Sequence, residues 1–226
     1  MERLNRTRLL FNDDGLSKLM NATVMVVGCG AVGSVAIEAL ARTGVGNLII
    51  VDFDKVESSN INRQLFALDS TIGKPKVDVA KARIADINPN INVQAFDMFW
   101  DKDTDINKMP DFIIDAIDTA ESKIALYKWA QERNIPIISS MGAALKTDVA
   151  QIKISELGRT SVCPLAAKMR KMLRENELKD VHVVFSTEKP APVREHAKNM
   201  GSNITVTGIF GLMLANWVIM KIINDN

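Results

Sequence analysis

The run Val24-Met25-Val26-Val27-Gly28-Cys29-Gly30-Ala31-Val32-Gly33 sets the fold of this chain. Four apolar residues, glycines spaced as G-x-G-x-x-G and a helical pattern from Ser34 to Thr43 predict a buried strand over 23–28 turning sharply into a helix over 31–43. Glycine at 28 and 30 lets the backbone turn tightly and lets a phosphate come close, while Gly33 lets the helix pack against the strand. The helix N-terminus then offers unpaired N–H groups and the positive end of its dipole to an anion. Alone, such a pattern also fits a turn with no ligand. The flanking strand and helix, with Asp52 roughly 20 residues on, favour a nucleotide.

Outward from this turn, element types alternate. Apolar runs predict strands over 47–52, 91–97, 111–115 and 136–140, and helical patterns lie over 75–87 and 120–133. Gly44 with Gly46, then Pro89, then Asn134 with Pro136 end the helices. Strands separated by helices imply right-handed crossovers, hence an α/β, Rossmann-like, doubly wound and mostly parallel sheet. Residues 1–22 read as an arm and a short helix, 23–140 as the nucleotide-binding half, and 141–226 as a substrate and dimer half of one domain. In that last part, strands are expected over 149–154 and 181–186, a helix over 166–175, and from Gly201 a strand before a final apolar helix. Alternating polarity around Gln151, Lys153 and Ser155 suggests antiparallel additions to the sheet. The segment Thr187–Asn203 reads as a long loop of the kind that carries function or merely connects.

With 226 residues, 47% of them hydrophobic and 24% charged, the chain can bury a substantial core. A net charge of +1 argues against a strongly basic nucleic-acid binder, although it can hide a local patch. Two cysteines, Cys29 and Cys163, cannot build a disulfide framework or a four-thiolate zinc site, and a cytoplasmic setting is expected. The uncharged run Ile204–Met220 is interrupted by Thr205, Thr207, Gly208, Gly211 and Asn216, so a membrane span is not expected.

Several polar residues suit a polyphosphate better than a dinucleotide. Asp52 can accept both hydroxyls of a ribose. Behind it come Asp54, Asn60-Ile61-Asn62-Arg63-Gln64 and Gly73-Lys74-Pro75-Lys76. Arg63 can hold phosphate oxygens through its planar fork, with Lys76 as a point charge beside them. Asp118, at the end of Asp115-Ala116-Ile117-Asp118, can hold magnesium between phosphates. It can equally form a capping box with Glu121, and the two roles are compatible. Cys163 reads first as a packed small residue and second as a reactive thiol. His182 and His196 stand apart from any partner. Lys168, Lys171 and Arg174 align on one helix face, either as a solvated face or as a contact for nucleic-acid phosphates.

Arg3-Leu4-Asn5-Arg6, the glycine turn, Val51-Asp52-Phe53-Asp54, Asn60-x-x-Arg63-Gln64, Gly73-x-Pro75-Lys76 and Asp115-Ala116-Ile117-Asp118 together resemble the ubiquitin-activating-enzyme-like adenylating superfamily. Ala39-Leu40-Ala41-Arg42-Thr43-Gly44, Cys163-Pro164-Leu165-Ala166, Phe185-Ser186-Thr187-Glu188 and Gly201-Ser202 extend the likeness toward its tRNA threonylcarbamoyladenosine dehydratases. The resemblance implies ATP on Gly28, Gly30 and Gly33, supported by Asp54 and Asn60. It places the ribose on Asp52, the phosphates on Arg63 and Lys76, and magnesium on Asp118. It further implies a homodimer in which Arg6 reaches the partner's phosphates, and tRNA bearing threonylcarbamoyladenosine as substrate. Two alternatives stay open: activation of the Gly-Gly end of a sulfur-carrier protein, and a nicotinamide dehydrogenase.

Overall fold

The computed structural model describes residues 2–193 and 200–224. Its centre is a seven-stranded sheet ordered β3-β2-β1-β4-β5-β7-β6. The strands are β1 (Thr23–Val27), β2 (Asn47–Asp52), β3 (Asn92–Asp97), β4 (Phe112–Asp115), β5 (Ile137–Ser140), β6 (Ile152–Glu156) and β7 (His182–Ser186). α1 (Asn5–Asn21) precedes β1, α2 (Gly33–Thr43), α3 (Lys76–Ile87), α4 (Ala120–Glu132) and α5 (Pro164–Glu175) run between strands, and α6 (Ile204–Asn224) follows β7. All pairings are parallel except β6 with β7, which is antiparallel. The mostly parallel sheet is therefore borne out, and of the two later strands β7 joins β5 in parallel.

Alternation along each central strand divides the core. Val24, Val26, Leu48, Ile50, Phe112 and Ile114 face a layer supplied by α1, α2, α3 and α6. Met25, Val27, Ile49, Val51 and Ile113 face the layer of α4 and α5. Burial on both faces is why these strands are continuous apolar runs. Each large aliphatic side chain so removed from water contributes about 1.5–3 kcal/mol.

Three local expectations change. Residues 2–21 form a longer helical segment than an arm and a short helix, broken at Asn12, whose φ of 64° interrupts α1. A 3-10 turn over Val149–Gln151 precedes β6, because the Asp148 carboxylate accepts the Ala150 N–H at 2.9 Å and curls the chain. No strand lies between β7 and α6 among the described residues, where one was expected from Gly201. Asn203 Oδ1 accepts the Val206 N–H at 3.1 Å and starts the helix at once. By length and composition α6 could cross a membrane, yet it packs against α2 and the sheet with Val206, Phe210, Leu214, Val218 and Ile222 inward. Part of the loop expected over 187–203 and His196 lie outside the described residues. What is described of the loop is pinned: Ala191 N–H reaches Leu145 O at 2.8 Å, and Leu145 N–H reaches Gly201 O at 2.8 Å.

Candidate functional site

The carboxyl ends of β1, β2 and β4 meet where the strand order reverses, between β1 and its neighbour β4. Sheets of this kind bind ligands at that crevice. Val27 stands between Val51 and Asp115 in register, so the turns after β1, β2 and β4 are neighbours.

The three glycines of the first turn serve different ends. Gly28 has φ +98°, and a Cβ there would sit 2.7 Å from the Ala116 carbonyl oxygen. At Gly33 a Cβ would lie 1.7 Å from the Gly28 carbonyl oxygen, so α2 can start against the turn only with glycine. Gly30 is open: the nearest atom to its would-be Cβ is Gln64 Nε2 at 3.9 Å. No side chain caps α2; the Ser34 N–H bonds to Gly30 O at 2.9 Å and the Ala36 N–H to Val32 O at 3.1 Å, so the positive end of the helix dipole, rather than a full set of free donors, borders the crevice.

Asp52 ties this turn to β2. One carboxylate oxygen accepts the Cys29 N–H at 2.6 Å and the other accepts the Asp54 N–H at 2.8 Å. Burial pushes the Asp52 carboxyl up from its usual range, and those two hydrogen bonds with nearby Lys76 pull against it. Cys29 is pushed well up by burial and by the Asp52 charge, which keeps it an unreactive thiol. Asp54 accepts from Lys76 Nζ at 2.7 Å, and Lys76, the first residue of α3, is almost wholly buried. An ammonium so held has a fixed position at the rim.

The segment after β2 turns back over Gly30. Asn60 is buried and closes its own turn, with Oδ1 accepting the Glu57 N–H at 3.2 Å. Arg63 is half-buried, and its Nη1 donates to Ser59 O at 2.8 Å and Asn62 Oδ1 at 2.9 Å. Gln64, quoted in the same motif without a role, has a buried amide that stands nearest the open glycine.

Asp118 is exposed on the turn between β4 and α4. The capping box expected with Glu121 does not form: Thr119 occupies the cap position without a capping side-chain bond to the helix, and Glu121 instead accepts from Lys168 Nζ at 2.9 Å. That hydrogen bond holds the Glu121 carboxyl below its usual range. Among the described residues, Asp118 engages Thr119, whose hydroxyl donates to Oδ1 at 3.2 Å. Beneath it lies Lys123, which sequence reasoning missed. Its position three residues after Ala120 and four before Tyr127, both inward, was the available signal.

Arg6 is not brought to this site within its own chain. Arg3 and Arg8 line a groove with Gly44, Gly46, Asn47 and Asn88, at the amino ends of β2 and β3, the opposite edge of the sheet. Arg3 Nη1 donates to Ile87 O at 2.7 Å, which fixes the start of α1 there. Cys163 is a buried free thiol at the start of α5. Along α5, Lys168 pairs with Glu121 and Lys171 with Glu175, while Arg170 bonds to Thr160. Two of the three stripe residues, Lys168 and Lys171, are thus paired with carboxylates. His182 stacks on Trp217 with ring centroids 5.2 Å apart.

A carboxyl-edge nucleotide crevice with a fixed lysine, an acidic turn and a glycine turn defines an adenylating-type domain, and the comparisons agree. The ThiF family model matches residues 4–226, and the chain belongs to the ThiF family. It is similar to a tRNA threonylcarbamoyladenosine dehydratase of Bacillus subtilis, at 43% identity over 100% of this chain and 96% of that protein. Structures of the Escherichia coli tRNA N6-threonylcarbamoyladenosine dehydratase superpose on it. The AMP complex gives a TM-score of 0.92 at 35% identity, covering 98% of this chain and 94% of that one. The ATP complex gives 0.90 at 34% identity, covering 98% and 93%.

Proposed function

We propose that this chain is an ATP-dependent tRNA threonylcarbamoyladenosine dehydratase, with residues 1–226 forming one adenylating unit. The observation that carries the reading is the open face of Gly30, overlooked by Gln64 and joined through Cys29 to Asp52 and through Asp54 to Lys76. A side chain at Gly30 would meet no protein atom closely, so its need is best explained by a nucleotide coming against the backbone. The full-length similarity to dehydratases, one of them solved with ATP and with AMP, supports the choice of substrate.

In this reading Asp52 accepts the ribose hydroxyls, while Gly28, Gly30 and the first turn of α2 lie along the nucleotide. Asp54 and Asn60 support the rim, Asp54 by holding Lys76. Lys76 and Arg63 neutralise charge as the threonylcarbamoyl carboxylate attacks the α-phosphate of ATP and pyrophosphate leaves. A nitrogen of the ureido group then closes on the activated acyl carbon and expels AMP, and the base has lost one water overall. Magnesium fits Asp118, whose carboxylate is exposed and only partly engaged. Among the described residues there is no cluster of three or more metal-ligating side chains, which suits an ion shared between one carboxylate, phosphate oxygens and water. When bound, it would neutralise the phosphates.

Arg6 is exposed on α1 between Arg3 and Arg8, which line the groove at the far edge, and this supports a homodimer in which each chain completes its partner's site; exposed Leu9 and Leu10 suit such a contact. A tRNA substrate supports a cytoplasmic setting. Incubation with ATP, magnesium ion and tRNA carrying threonylcarbamoyladenosine should yield AMP and a tRNA nucleoside lighter by one water. No mass change together with unaltered ATP would overturn the reading. Pyrophosphate exchange that depends on a small protein ending in Gly-Gly would point instead to carrier activation. For the dimer, mixing R6A with R63A should restore part of the activity each lacks, and no restoration would reject action across the interface.

A further inference from the structure

Beneath the turn that carries Asp118, four polar side chains from β4, α4 and β5 form a buried network. Asp115 and Lys123 are both wholly buried, and Lys123 Nζ donates to Asp115 Oδ2 at 2.8 Å. The same ammonium donates to Ser139 Oγ at 3.1 Å, and the Tyr127 hydroxyl donates to Ser139 Oγ at 2.7 Å. Ser139 in turn donates to Asp115 Oδ2. Burial, with the Asp115 charge beside it, holds the Tyr127 hydroxyl well above its ordinary range, so it remains a donor.

Stability gives no reason for an ion pair here, since apolar residues of the same volume serve a core as well or better. What the network provides is a fixed carboxylate. Oδ2 is held by Lys123 and Ser139, which aims Oδ1 at the turn, where it accepts the Ile117 N–H at 3.0 Å. The intervening Ala116 donates to Val27 O at 2.8 Å, and its carbonyl lies against Gly28. The Lys123 network thus reaches both the turn that carries Asp118 and the glycine turn.

We propose that Lys123 is a positioning residue for adenylation: acting through Asp115, it fixes the 115–118 turn and so sets where Asp118 meets the phosphates. This rests on the reading of Asp118 given above. The isosteric pair D115N/K123M is the informative partner, because an amide can accept from Ile117 N–H and donate to Ser139 without any charge.

The test measures AMP release from ATP, magnesium ion and threonylcarbamoyladenosine-bearing tRNA, together with amide exchange at Ile117. K123M should lower kcat by roughly 30-fold or more with KM for ATP within about twofold, the signature of a lost transition-state arrangement. Ile117 exchange should quicken by about tenfold or more as the turn loosens. D115N/K123M should recover kcat to within about threefold of the parent. Full activity in K123M, lost activity with unchanged Ile117 exchange, or a folded D115N/K123M that stays inactive would each overturn the inference. If K123M does not fold, Y127F carries the test: faster Ile117 exchange with a kcat drop of about threefold supports it, and no change in either overturns it. D118A separates the two readings. Retained activity there overturns the role of Asp118, whereas loss in D118A with full activity in K123M removes only Lys123.

Discussion

Two turns meet at the carboxyl edge, and they are shaped by opposite means. The turn after β1 is dictated by missing side chains, since Gly28 and Gly33 admit no Cβ. The turn after β4 is dictated by a side chain beneath it, the Asp115 carboxylate held by Lys123 and Ser139. They touch at Gly28 and Ala116, so an error in either displaces the other. Beyond its missing side chains the glycine turn is pinned by one carboxylate, Asp52 on the Cys29 N–H, whereas the turn after β4 takes its shape from a network of four polar side chains.

The largest effects should come where the two turns hand over to chemistry. Asp118→Ala and Arg63→Ala should each lower AMP formation by about 10³-fold while leaving the circular dichroism spectrum intact. Activity retained in either variant removes that residue from the mechanism. Next comes Gly33→Ala, which drives a methyl into the Gly28 carbonyl and should cost more than about 3 kcal/mol in denaturant unfolding. A midpoint like that of the parent would mean that the turn yields where its geometry says it cannot. Gly30→Ala should do the reverse, with stability within about 0.5 kcal/mol of the parent and KM for ATP raised about tenfold. An unchanged KM would leave the open face without a ligand. The smallest effect belongs to Glu121→Gln, because the ion pair with Lys168 is exposed on both sides and no capping box depends on it. A measurable shift in the thermal midpoint would show that the second turn leans on that glutamate after all.

Much of this edge was legible in the sequence. The apolar runs gave the central strands because parallel strands buried on both faces need no alternation, and Gly28, Gly33 and Asp52 announce their geometry by residue type alone. The Lys123 network was not legible for a physical reason: lysine is among the residues least often buried, and only the packing of α4 on β4 and β5 reveals its partner. The expected capping box at Asp118 failed similarly, since Glu121 had a distant lysine as a competing partner that local spacing cannot reveal. In the later part of the chain, local side-chain bonds overrode polarity patterns. Asp148 curls the entry to β6, and Asn203 starts α6 where a strand was expected. On the edge strand β6 even the apolar Ile154 is exposed.

The packing of α6 on α2 bears on how the chain reaches its folded state. Gly211 lies against the first turn of α2, where a Cβ would come within 2.4 Å of the Val32 carbonyl oxygen. The face of β1 and β4 formed by Val24, Val26 and Ile114 shares its core with Val206, Phe210 and Leu214 from far along the chain. As the ribosome extends the polypeptide, the nucleotide half therefore emerges with an uncovered apolar face. Full closure waits for a contact of very large sequence separation, the kind that slows folding and leaves nascent chains open to aggregation. Chaperone dependence during synthesis should accordingly be set by how soon α6 arrives.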